Sequence, residues 1–172
     1  MFRSTLLILA AACALQAQAT NPLIAQGKAT YTAVKNNIIK LAEKMPEDQY
    51  SFQPVPEIRT FAALMGHIAD AQLGNCSSVR GERKRGSAQA DNKTKADAQK
   101  ALAESFAECD AAWESITDAN ANDAVGQRTK LGALIYNTVH SNEEYGYASV
   151  YLRLKNIVPP SSDNAGRGKK GD

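Results

Sequence analysis

Apolar side chains recur every three to four residues in four separate stretches of this chain, and the segments between and after them hold its polar clusters and five of its six prolines. In the first stretch Tyr31, Val34, Ile38, Leu41 and Met45 follow the spacing of one buried helical face. A helix is expected from Pro22 to about Lys44, ended by Pro46-Glu-Asp-Gln. Pro54 and Pro56 keep the next residues extended. The second helix starts after Thr60, a suitable N-cap, and closes near Gly81. The third opens on Thr94-Lys-Ala-Asp97, which has the form of a capping box with Asp in the acidic place. Its buried stripe is Leu102, Phe106, Cys109, Trp113 and Ile116. The fourth runs from about Leu131 to Asn156, and Pro159-Pro160 prevents its continuation. Residues 81–92 read as a polar connection and 118–129 as a loop. No strand alternation and no internal repeat emerge. Four such helices in one domain predict an all-α four-helix bundle.

The N-terminus changes the boundaries. Met1-Phe-Arg3 is a short basic leader, Leu6 to Leu15 an apolar run too short to span a bilayer, and Ala17-Gln18-Ala19 a small-residue cleavage site. Residues 1–19 are expected to be a signal peptide, and the protein to be exported to the periplasm or secreted. A lipid-anchored form through Cys13 is the lesser alternative, because the apolar run before it is short. The bundle then occupies residues 20–162. The Gly/Lys-rich tail, 163–172, is expected to be disordered.

Charge excludes one class of partner. Twenty basic residues face 18 acidic ones, with no basic stripe along a helix, so nucleic-acid binding has no electrostatic support. Arg80, Arg83, Lys84 and Arg85 do cluster, but in a Gly/Ser-containing connection that reads as a solvated loop.

Cys76 and Cys109 survive cleavage, and an exported protein permits a disulfide between them. Cys76 lies 16 residues beyond Thr60 and Cys109 15 beyond Thr94, so they sit level if the second and third helices run parallel. That requires a long crossover. An extended connection from 81 to 93 reaches about 40 Å, against roughly 30 Å for the helix it must retrace.

Candidate chemistry rests on the only two histidines. His67 falls within the second helix. His140 and Glu144, four apart, project from one face of the fourth. Brought together, His67, His140 and Glu144 make a three-ligand metal site with an open position. Imidazole and carboxylate suit zinc or nickel, with iron or manganese as alternatives. Asp70, three residues after His67, is placed to orient the imidazole or to act as a fourth ligand. The bland alternatives are a hydrogen-bonded core histidine and an ordinary i, i+4 ion pair. Cys76 is out of phase with His67 and about 13 Å along the axis, hence no ligand. Tyr147 either packs or lines the mouth of such a pocket. There is no Gly-rich phosphate loop, no G-x-S-x-G and no paired-cysteine zinc motif.

These segments resemble the DinB-like (DinB/YfiT) family of metal-dependent four-helix bundles. The resemblance is carried by Phe61-Ala-Ala-Leu-Met-Gly-His67-Ile-Ala-Asp70, Cys76-Ser-Ser-Val-Arg-Gly-Glu82, His140-Ser-Asn-Glu-Glu144-Tyr-Gly-Tyr-Ala-Ser-Val-Tyr151-Leu-Arg153 and Val158-Pro-Pro-Ser161. It implies an up-down-down-up bundle and a site of three histidines, one on the second helix and an H-x3-H pair on the fourth. His67 and His140 match two of these positions, and Glu144 replaces the third. Characterised relatives include transferases and isomerases using mycothiol or bacillithiol, whose metal activates the thiol. The implied function is a metal-dependent hydrolase or transferase. The alternative is a non-catalytic bundle that binds a small ligand or a partner through the same pocket around a degenerate metal site. A homodimer through an apolar helix face is compatible with either.

Overall fold

A computed structural model describes residues 21–163. The expected leader, with Cys13, and the tail from residue 164 lie outside the described residues. The chain forms α1 (Pro22–Lys44), α2 (Phe61–Val79), a single turn α3 (Ala88–Asp91), α4 (Lys95–Glu114) and α5 (Lys130–Leu154). A small hairpin, β1 (Ala124–Val125) with β2 (Arg128–Thr129), precedes α5. Among the described residues no helix is long and apolar enough to cross a membrane.

The four long helices are those expected. Thr60 caps α2 through Ala63 N–H, and Thr94 with Asp97 completes the capping box of α4. α5 stops at Leu154, two residues earlier than expected. Asn156 adopts φ 59°, and the amides of Ile157 and Asn156 return to the carbonyls of Leu152 and Arg153. Asn tolerates this left-handed cap, so the helix closes there. The hairpin was not expected, because two-residue strands are too short to register a period of two. α3 falls inside the expected polar connection; contacts with α2 described below hold it.

Hydrogen bonds fix the helix directions. Lys95, opening α4, donates to the carbonyls of Glu43 and Met45 at the end of α1. The amide of Ala62, opening α2, donates to Tyr50 just beyond α1. Lys44 reaches the carbonyl of Val158, just beyond α5. So α1 and α5 end where α2 and α4 begin, which is the up-down-down-up order. The Cys76–Cys109 disulfide joins the parallel pair α2 and α4 with Cα atoms 4.9 Å apart. Both anticipated apolar stripes are buried, and Tyr31 stacks on Trp113 where α1 meets α4.

At the far end of α2, Gly81 takes φ 82°, and Glu82 N–H returns to the carbonyl of Ser77. A side chain at 81 would meet the left-handed penalty that glycine escapes. The reversal brings Lys84 beside Arg80, and both bond the buried carboxylate of Glu108 on α4, at 2.6 and 2.7 Å. Burial alone would push the Glu108 pKa up. Hydrogen bonds and charge from Lys84 and Arg80 outweigh it and hold the carboxyl below its ordinary value. A depressed folded pKa adds stability that is present above the unfolded pKa and lost as pH falls through the folded one. Glu108→Gln is expected to cost about 1–2 kcal/mol at neutral pH, because its partners are partly exposed and screened. Thermal melts at a series of pH values should show the gap from wild type closing as pH drops below the carboxylate range.

Candidate metal centre

The site depends on how α2 and α5 slide past one another. Between them lies a buried amide cluster. Gln72 Nε2 donates to Ser141 Oγ at 3.0 Å, Asn137 Nδ2 to Gln72 Oε1 at 2.6 Å, and Asn75 Nδ2 to Asn137 Oδ1 at 3.2 Å. Shifting either helix by a turn would leave these buried groups unpaired. The cluster therefore locks one register, and that register sets His67 against His140 and Glu144.

The three side chains converge. His67 Nε2 lies 3.4 Å from Glu144 Oε1, and His140 Nε2 lies 3.6 Å from the same oxygen. The imidazole rings meet edge to face at 5.2 Å. One ligand atom from each residue lies within 4.8 Å of the others. Glu144 is the deepest, with its side chain 8% exposed, while the histidines are 23% and 20% exposed. Glu144 Oε2 and His140 Nδ1 are buried without a hydrogen-bond partner among the described residues. A buried carboxylate oxygen lacking any donor is costly unless a cation or proton compensates it.

The α2–α4 crossover completes this centre. Gln89 of α3 places Oε1 2.8 Å from His67 Nδ1. An amide oxygen only accepts, so Nδ1 donates to it, and this turns Nε2 towards Glu144 and His140. Asp70 fixes the crossover. Its two carboxylate oxygens accept the amides of Ala88 and Gln89, each at 2.9 Å. Gly66 makes the approach possible, because a Cβ there would collide with the Ala88 carbonyl and Gln89 nitrogen. Asp70, expected beside the imidazole or as a fourth ligand, thus lies outside the converging group. It acts on His67 through Gln89.

A cavity of about 760 Å³ opens beside the cluster, with Glu144 and Gln89 in its wall. Ile58, Leu64, Val150 and Tyr151 give it a largely apolar lining. Tyr147 lines it as well and is exposed rather than packed. Its hydroxyl donates to Glu143 at 3.3 Å. A hydrophobic pocket of this size beside convergent polar groups is suited to a small molecule.

His67, His140 and Glu144 do converge, as the sequence implies, and Gln89 joins them unexpectedly. The one available signal was Gly66 in the interior of an otherwise apolar helix, which marks close backbone approach. Cys76 and Cys109 stand apart from the cluster in their disulfide.

Comparison with known proteins adds two findings. A family model described as the DinB superfamily matches residues 30–148, a span that includes all three clustered side chains. No curated protein matches the chain significantly.

Proposed function

The chain belongs to the DinB superfamily, and from that premise we propose that it is an exported, metal-dependent hydrolase or transferase acting on a small molecule with an apolar body. His67, His140 and Glu144 are the ligands of a divalent cation, zinc or nickel first, with iron or manganese as alternatives. The carrying observation is the convergence of the three ligand atoms together with the unpaired buried oxygen of Glu144. Three protein ligands leave a coordination position free. A divalent cation there would acidify a bound water or thiol and polarise a substrate oxygen.

The chain's own groups have separate tasks. Gln89 holds the proton on His67 Nδ1 and thereby the ring orientation. The apolar wall of Leu64, Val150 and Ile58 seats the substrate body and displaces water. Glu144 contributes a negative charge where the family template has a neutral imidazole. The cation with its ligands then carries one positive charge fewer, so a bound nucleophile is less acidified and more basic. Export is supported by the leader pattern of residues 1–19 and by the disulfide, which is rare in reducing compartments. Residues 20–162 are the mature domain in this reading, followed by the tail.

Calorimetric titration of the metal-free protein with zinc and with nickel tests it. One equivalent should bind, and Gln89→Ala should weaken binding by about tenfold or more. Glu144→His should bind tightly and acidify the bound water further. If no divalent metal binds wild type at micromolar concentration while Glu144→His does, the natural site is degenerate and the pocket serves binding alone.

A further inference from the structure

The basic run at the end of α2 is not uniformly solvated. Arg80 and Lys84 turn inward to Glu108, and both also pair with Glu82. Arg83 and Arg85 line a separate recess of about 730 Å³ together with Arg128 of the hairpin. Among the described residues none of these three arginines has a carboxylate partner. Arg128 stacks over the ring of Tyr136 at 3.8 Å, which holds its guanidinium plane at the cleft.

The charge of this recess stands out against the whole chain. Four cationic side chains and one carboxylate, Glu82, line it, and Glu82 is already occupied by Arg80 and Lys84. Over the full sequence 20 basic residues are nearly balanced by 18 acidic ones. Unopposed like charges repel, so gathering them around a concavity costs stability unless an anion offsets it. The feature is a recess of small-molecule volume rather than a flat stripe. It also lies beyond the metal cluster: Gly74 and Ser78 of its wall are two and three turns of α2 past His67.

We propose that the cleft between the α2–α3 connection and the hairpin binds a compact polyanion of phosphate chemistry, held by Arg83, Arg85 and Arg128. Guanidinium groups match phosphate oxygens in paired hydrogen bonds, and three of them require a ligand with two or more negative charges in a small volume. Such a group could be free in solution or belong to a lipid headgroup.

The test is calorimetric titration of the full mature protein with sodium pyrophosphate at low ionic strength. One site should appear, and binding should weaken as salt is raised to about 0.3 M. Arg83→Gln, Arg85→Gln and Arg128→Gln should each weaken it by about tenfold. Each should leave zinc binding unchanged and should not lower the melting temperature. Lys40→Gln, which loses the same charge elsewhere, should bind as wild type does. Co-sedimentation with vesicles containing phosphatidic acid, whose phosphomonoester headgroup can carry two negative charges, distinguishes the sources. If it depends on the same three arginines, the phosphate belongs to a lipid; if there is none, it is free. Failure to bind pyrophosphate below about 1 mM, or equal binding by the triple Arg→Gln variant, overturns the proposal.

Discussion

His140→Ala protein should bind zinc or nickel at least about a hundredfold more weakly than wild type, and should carry none through purification. The expectation follows from the cluster: His140 supplies one of only three converging atoms, and no further His, Cys, Asp or Glu joins them among the described residues. His67→Ala should behave in the same way. Misfolding is excluded by a second readout. Saturating metal at about a hundred times its Kd should stabilise wild type by about 2.7 kcal/mol, or several degrees in melting temperature for a domain of this size. The variants should fold, with wild-type circular dichroism, and show no such shift. Equal metal content in wild type and in both variants would remove the cluster as the site.

Reducing or deleting the Cys76–Cys109 bridge should have the largest effect on stability. The cysteines are 33 residues apart, and closing a loop of that length restricts the unfolded chain by about 3–4 kcal/mol. Both sulfurs are fully buried beside Gln72, so a Cys76→Ser/Cys109→Ser double variant also places hydroxyls in a packed interior. Urea denaturation of that variant should give a midpoint well below wild type. A Cys76→Ala/Cys109→Ala variant should lie between them. An unchanged midpoint in both would show that the bridge is not formed in the protein under study.

Much of the bundle was legible because its signals are local. The stripe Tyr31, Val34, Ile38, Leu41 and Met45, the cap at Thr60 and the box at Thr94–Asp97 each depend on neighbours within a few residues. The parallel pairing of α2 and α4 was implied by the family resemblance, and the cysteine levels agree with it, since a disulfide demands two points at equal height. The three clustered ligand residues were legible because histidine is scarce here and His140 and Glu144 share a helical face. What escaped is what only packing decides. Asp70 looked like an imidazole partner from its spacing. Its partners, the amides of Ala88 and Gln89, come from a turn whose sequence, Ala-Gln-Ala-Asp, has no apolar period. Arg80 and Arg83 are indistinguishable as letters. The left-handed turn at Gly81 sends Lys84 to Glu108 alongside Arg80, and leaves Arg83 and Arg85 in the recess.

Parallel neighbours in a bundle cannot be joined by a tight turn; the chain must travel back along the whole length of the helix it has just left. Here that return journey passes the midpoint of α2, where Gly66 and Asp70 catch it and where His67 waits for a partner. The wall over the imidazole is thus made from chain that the topology demanded anyway. Antiparallel hairpins have no such spare length. Deletions in residues 81–93 would therefore remove one side of the pocket, whereas the hairpin connection before α5 can be altered without touching His67.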